Sequence, residues 1–85
     1  MTAPDVLAVV QQAVAAVLEV DPATVSREQR FVDDLRADSL AIVEIVEIVE
    51  EALLAAHPGF AIADEDLDDL RTVGDAVDYA LARLP

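Results

Sequence analysis

Few side chains in this 85-residue sequence could do chemistry. His57 is the only imidazole, and there is no cysteine. The missing thiol removes cysteine nucleophiles, thiolate metal sites and disulfide frameworks. His57 precedes Pro58 and Gly59 at the break of a helical pattern. An imidazole there is expected to meet the helix dipole rather than to serve as base or ligand. No Ser-His-acid spacing, glycine-rich phosphate loop or helical histidine pair occurs. Asp64, Asp66 and Asp68 set carboxylates at alternate positions, as a calcium loop does. The match then fails, with Asp69 where the sharp turn needs glycine and Asp75 where a bidentate glutamate is usual. A solvated acidic patch that weakly collects divalent cations is expected there, and no specific metal site. What remains is a hydroxyl. Asp38 is a good N-cap, so Ser39 stands at an accessible helix start, followed by Leu40. On local sequence alone Ser39 is as readily a plain helix-start residue as a site.

The framework that must position these residues is set by composition. The chain has 18 acidic residues against 5 basic ones, all arginine, and a formal net charge of −13. Phosphate binding needs clustered Lys and Arg, so nucleic acid is an implausible partner, and an anionic membrane surface is disfavoured for the same reason. Such charge favours disorder only in a chain that is also poor in apolar residues. Here 55 % of residues are hydrophobic and the mean hydropathy is +0.42, so the acid is laid over an apolar framework. The length predicts one domain over residues 1–85, burying roughly 60–65 % of its unfolded surface. The N-terminus lacks the basic start of an export signal, and no run of 18 apolar residues could span a membrane. A cytoplasmic monomer is expected.

Periodicity predicts three helices. Pro4 to Leu18 carries Val6, Val10, Ala13, Val14 and Val17 on one face, joined by Leu7 and Leu18, with Gln11, Gln12, Ala15 and Glu19 on the other. Residues 21–38 have no sustained period; Phe31, Val32 and Leu35 are expected to pin this long loop to the core, with a short turn at Ala23 to Val25. Asp38 to about Ala55 is the second helix, with Ile42, Ile45, Val49, Ala52 and Leu53 on one face. Glu44, Glu47, Glu50 and Glu51 form an acidic stripe on the opposite face, interrupted by Leu40 and Val43. Phe60 and Ile62 anchor the next loop, and Asp66 to Leu70 is a short helical turn with Leu67 and Leu70 inward. Thr72 caps the last helix, with Asp75 in a capping-box relation. Val73, Val77, Leu81 and Leu84 form its stripe, with Ala76 and Ala80 as close-packing positions. The fold class is all-α, a small bundle of three to four helices with a long first loop.

The segment Phe31-Val-Asp-Asp-Leu-Arg-Ala-Asp-Ser-Leu40 resembles the phosphopantetheine attachment region of acyl carrier proteins. Family members show a phenylalanine, an Asp-Leu pair, then Asp-Ser-Leu opening the second helix. These are Phe31, Asp34-Leu35 and Asp38-Ser39-Leu40 here. The resemblance continues through Val43, Glu44, Glu50 and Glu51, returns at Asp64-Glu65-Asp66, and is close to the bacterial type II pattern at Arg71-Thr-Val-Gly-Asp-Ala-Val-Asp-Tyr79. Asp21-Pro22 and Val25 also fit, so nearly the whole chain is covered.

The resemblance implies that Ser39 takes 4′-phosphopantetheine from coenzyme A, with Asp38 capping the helix beside it. The phosphate would sit near exposed N–H groups and the positive end of the dipole. The arm would supply the thiol that a chain without cysteine lacks. It also implies a carrier rather than an enzyme, with no catalytic residues. The expected partners are a phosphopantetheinyl transferase, acyltransferases or ligases, and synthases. Their basic patches would meet Glu44, Glu47, Glu50 and Glu51, beside apolar contacts at Leu40 and Val43. Ile45, Val49, Ile62, Leu67 and Leu70 are the candidates for sheltering an acyl chain.

Three departures stand out. Arg36 replaces the usual glycine before Asp-Ser-Leu, Ala41 replaces a frequent acid, and the stretch from Ala52 to Ala63 is longer than the common type II loop by about five residues. They favour a dedicated carrier in a polyketide or other specialised pathway over a housekeeping fatty-acid role. The alternatives are a peptidyl carrier of a nonribosomal system and an unmodified acidic docking or calcium-binding module.

Overall fold

The computed structural model describes residues 1–85. Three α-helices, α1 (Ala3–Leu18), α2 (Ser39–Ala56) and α3 (Val73–Arg83), are joined by two long connections. Each connection carries a short 3-10 helix, Pro22–Thr24 in the first and Asp64–Asp69 in the second. The architecture is the all-α bundle that periodicity predicts. No helix is long and apolar enough to cross a membrane.

Each helix starts where a side chain can take up the orphan N–H groups of its first turn. Thr2 and Asp5 form a capping box that begins α1 one residue before Pro4. Thr72 and Asp75 form the same device at α3. Asp38 caps α2 by accepting from the Ala41 N–H at 2.8 Å. α1 is the central element and packs against both α2 and α3, which approach each other less closely. Its stripe of Val6, Val10, Ala13 and Val14 is completely buried. α2 contributes Ile45, Val49 and Leu53, and α3 contributes Val73, Val77 and Ala80. Val17, Leu7, Leu18, Leu81, Leu84, Ala76 and Ile42 pack around this core half-buried.

Several side chains depart from the sequence expectation. Gln11 is not on a solvated face; its amide donates to the Val25 carbonyl at 2.8 Å and holds the first loop against α1. Val32 does not pin that loop and is 61 % exposed. Phe31 is buried and Leu35 half-buried as expected, and Val25 and Ala37, each 2 % exposed, complete the anchoring. Ala52 is exposed, and Val49 and Leu53 are the residues of that turn that reach the core. The short turn expected at Asp66 to Leu70 begins at Asp64. α2 ends at Ala56, His57 donates its N–H back to the Leu53 carbonyl, and Gly59 turns the chain at φ 97° so that Phe60 can return to the core.

The first loop is tied to the start of α3 by backbone. Phe31 N–H donates to the Arg71 carbonyl, Val73 N–H to Gln29 and Gly74 N–H to Arg27, at 2.9–3.0 Å. A Cβ on Gly74 would lie 3.1 Å from that Arg27 oxygen, so a side chain there would have to push the loop back by a few tenths of an ångström. The Arg27 guanidinium reaches Asp78 at 3.0 Å beside it.

The second connection is tied to α3 by side chains. Tyr79 donates its hydroxyl to Asp66 at 2.6 Å, and Arg83 donates to the same oxygen at 2.8 Å while lying 4.1 Å over the Tyr79 ring. The Tyr79 hydrogen bond, and then that of Arg83, hold the Asp66 carboxyl below its ordinary pKa of 3.8. A depressed carboxyl pKa stabilises the fold above the unfolded value and loses that effect as pH falls through the folded one. Asp66→Asn should therefore lower the melting temperature at neutral pH. The difference from wild type should be constant above about pH 5 and should shrink as pH drops below 3.8, as read by thermal melts across an acid series.

Candidate functional site

Ser39 is the first residue of α2 and is exposed. Asp38 takes the Ala41 N–H, and the Asp38 carbonyl accepts from Ile42 at 3.0 Å. The N–H groups of Ser39 and Leu40 bond to nothing in the chain and, like the Ser39 hydroxyl, face outward. The helix start thus presents a free hydroxyl beside two unpaired donors and the positive end of the dipole, which suits a phosphate ester.

The position of Ser39 is set by the loop before it. Asp34 accepts from the Arg30 N–H at 2.7 Å, Leu35 N–H returns to the Arg30 carbonyl, and Ala37 N–H closes onto the Phe31 carbonyl at 2.8 Å. The chain makes that return through Arg36, which sits at φ 59° in the left-handed region. A glycine would take this conformation without strain, and Arg36 bears the steric cost of a Cβ there.

Ser39 lies on the rim of an open groove of about 660 Å³ between this loop and the start of α3. Its apolar part is Phe31, Val32, Ile42, Leu67 and Leu70, and its polar rim includes Arg30, Asp33 and Arg71. Behind the groove is an apolar cavity of about 20 Å³, room for one water at most. Phe31, Ile42 and Leu70 line both spaces and form the partition between them. Of the residues expected to shelter an acyl chain, Ile45, Val49, Ile62 and Leu70 line the cavity. Leu67 does not; it faces the groove, because the 3-10 helix turns it away from the core. Phe31, Val46 and Tyr79 also line the cavity, beyond the set that periodicity suggests. For Tyr79 the available signal is its place one turn after Ala76 on the inner side of α3.

The acidic stripe of α2 divides. Glu44, Glu47 and Glu51 are exposed, with Leu40 67 % and Val43 39 % exposed among them. Glu50 departs from the solvated face: it is half-buried and accepts the Ile62 N–H at 2.7 Å. Val32 instead adds an exposed apolar side chain on the Ser39 groove. Asp64, Asp66 and Asp68 do not converge, Asp66 being engaged by Tyr79 and Arg83, and no three acidic or histidine side chains are grouped as for a metal ion.

The chain is similar to known proteins along most of its length. The family model described as "Phosphopantetheine attachment site" matches residues 8–80. An acyl carrier protein of Exiguobacterium sp. is 40 % identical over 84 residues, covering 99 % of this chain and all of that protein. The meromycolate extension acyl carrier proteins of Mycobacterium leprae and Mycolicibacterium smegmatis are 39 % and 41 % identical over 93 % and 92 % of the chain. The chain spans only 64 % of the length of the Mycobacterium leprae protein and 74 % of the Mycolicibacterium smegmatis one. The solved acyl carrier protein of Enterococcus faecalis superposes with a TM-score of 0.73 at 32 % identity, covering 98 % of this chain and 99 % of that one.

The strained turn gives a test of how the site is built. Left-handed backbone costs a non-glycine residue about 1–2 kcal/mol, of which glycine gives back roughly 0.4–1 kcal/mol through the freer unfolded chain. Arg36→Gly should raise the melting temperature by a few degrees and Arg36→Val should lower it. Melts at about 1 M salt, where the Debye length is about 3 Å, separate this from the lost charge. Equal melting of the two variants would show that the turn carries no such strain.

Proposed function

The chain belongs to the acyl carrier protein family, and from that premise we propose that Ser39 is its attachment residue. The observation that carries this is the exposed Ser39 hydroxyl at the Asp38-capped start of α2, on the rim of an apolar-floored groove. Proteins of this family are carriers, not enzymes, and their prosthetic group is 4′-phosphopantetheine. That group supplies a terminal thiol on which acyl chains are held as thioesters.

The residues present fit such an arm. The free N–H groups of Ser39 and Leu40 suit its phosphate, and the groove is wide enough for an extended chain over Phe31, Ile42, Leu67 and Leu70. Asp38 fixes the helix start without occupying those donors. The small apolar cavity behind the partition is the proposed shelter for an acyl chain, which has to enlarge it.

The proposed partners are a phosphopantetheinyl transferase, acyltransferases or ligases, and synthases with basic docking patches. Glu44, Glu47 and Glu51 are free to meet such patches, and Leu40, Val43 and Val32 offer apolar contacts beside Ser39. Exposed charge speeds encounter while adding little to the strength of the final complex, as a carrier visiting many enzymes requires. We place the carrier in a specialised acyl pathway rather than a housekeeping one. Support comes from Arg36 and Ala41 at positions where glycine and an acid are usual, and from the similarity to proteins named for meromycolate extension.

Incubation with coenzyme A and a broad-specificity phosphopantetheinyl transferase should add one phosphopantetheine to the intact mass. Ser39→Ala should keep the wild-type helical spectrum and gain nothing. Modification of that variant, or none of the wild type, would overturn the assignment.

Charge reversal at Glu47 or Glu44 should slow modification several-fold through the encounter rate, and the wild-type rate should fall with added salt. Exposed charges are screened within about 8–10 Å at physiological ionic strength, so an encounter driven by them must respond. Initial rates indifferent to both salt and reversal would exclude steering by α2.

A further inference from the structure

Ile62 and Leu70, at the two ends of one segment between α2 and α3, both line the apolar cavity. Apolar packing holds this segment only lightly. Leu70 is its one buried residue and lies outside the main core cluster, Ile62 packs half-buried on that cluster, and Asp64, Glu65, Asp68 and Asp69 are exposed. Polar contacts hold it instead, and they gather at its leading end. Glu50 on α2 accepts the Ile62 N–H at 2.7 Å. The Tyr79 hydroxyl on α3 accepts the Ala63 N–H at 3.2 Å and donates to Asp66 at 2.6 Å. Arg83 holds Asp66 at 2.8 Å and lies over the Tyr79 ring. The trailing end is anchored separately, by the Phe31 N–H on the Arg71 carbonyl and the Val73 N–H on Gln29.

We propose that Ile62–Leu70 is a lid over the apolar cavity, and that Glu50 and Tyr79 are the clips that set the shortest acyl chain the core admits. The proposal rests on the carrier reading of Ser39. The cavity has room for no more than a water, so a chain that enters must displace part of its wall. Each methylene moved out of water adds a similar increment of favourable free energy. Each clip broken forfeits a hydrogen bond and leaves a half-buried amide wanting a partner. Sheltering therefore begins only when the chain is long enough for the first effect to exceed the second. Tyr79 belongs to both sides of this balance, with its ring in the cavity wall and its hydroxyl in the clip. Glu50 is set apart from Glu44, Glu47 and Glu51, because it alone is turned onto the lid.

The test uses Tyr79→Phe, Glu50→Ala and, as a variant that keeps an acceptor oxygen, Glu50→Gln. Each is loaded with butanoyl, hexanoyl, octanoyl and decanoyl pantetheine, and thioester cleavage by hydroxylamine is timed. Wild type should be cleaved slowly only above a threshold length. That threshold should fall by roughly one or two carbons in Tyr79→Phe and Glu50→Ala, since one methylene and one hydrogen bond are of similar worth, and should stay in place in Glu50→Gln. In the unmodified proteins, amide exchange should quicken at least tenfold at Ile62 in Glu50→Ala and at Ala63 in Tyr79→Phe, with the amides of α1 unchanged. An unmoved threshold in variants whose exchange shows the clips broken would overturn the proposal. So would unprotected Ile62 and Ala63 amides in wild type. Equal cleavage at every length in all proteins would overturn the lid together with the acyl shelter. Absence of any mass gain at Ser39 would instead overturn the carrier reading, and the exchange measurements would still decide the clips.

Discussion

The site depends on a strip of backbone pairing between the first loop and the start of α3. A connection of this length has many ways to run, and apolar anchors alone leave its register loose. The bonds from Phe31 to Arg71, Val73 to Gln29 and Gly74 to Arg27 fix that register. With Phe31 held, Ala37 can close onto the Phe31 carbonyl, and the left-handed turn at Arg36 delivers Asp38 to the start of α2. The same strip forms one wall of the groove, so the hydroxyl and the surface beside it are positioned by a single set of contacts. Gly74 eases it: α3 begins against loop backbone, and a Cβ there would press on the Arg27 carbonyl.

The charge of the chain sets a second constraint. Eighteen carboxylates face five guanidinium groups, and Arg27, Arg30 and Arg83 each engage an acid. The pair of Arg30 and Asp33 is well solvated and contributes little. Arg27–Asp78 and Arg83–Asp66 join segments far apart in the sequence, one at each connection. Two of the five arginines thus hold a connection to α3, none pairs with α2, and the outer face of α2 keeps its acids uncompensated. That distribution costs some stability through repulsion, and it leaves the exposed field of α2 at full strength.

Helix identity and most of the core were legible because they follow from period alone. Val6, Val10, Ala13 and Val14 on α1, and Val73 and Val77 on α3, repeat at helical spacing and are buried as that spacing requires. The start of α2 at Ser39 and its Asp38 cap were legible because an aspartate before a helical pattern has one common use, whereas a role for the Ser39 hydroxyl came only from the resemblance of the surrounding segment. What could not be read were contacts between side chains distant in sequence. Gln11 looks solvated on a helical wheel and is drawn inward by the Val25 carbonyl, which no local pattern announces. Glu50 belongs by period to the acidic stripe, and only the return of the chain at Ile62 gives it a donor. Val32 follows a buried phenylalanine and looks like a second anchor, yet Val25 and Ala37 hold the loop and leave Val32 to the groove. Leu67 fails for a related reason, since a 3-10 helix does not keep the facing that α-helical spacing implies.

The distribution of burial separates the helices from the chain that joins them. α1 and α3 meet through β-branched and small residues that are completely buried, and such packing tolerates little displacement. α2 buries Ile45, Val49 and Leu53 as deeply against α1. The segment from Ile62 to Leu70 has few apolar contacts and is held by hydrogen bonds to Glu50 and Tyr79. Local opening follows low apolar contact and exposed hydrogen bonds, so this segment is the part placed to yield while the three helices keep their packing. Ser39 shares its groove with Leu67 and Leu70 of that segment and follows a loop pinned to the start of α3. An arm attached there would be presented from a fixed point and would still border the part of the core that can open.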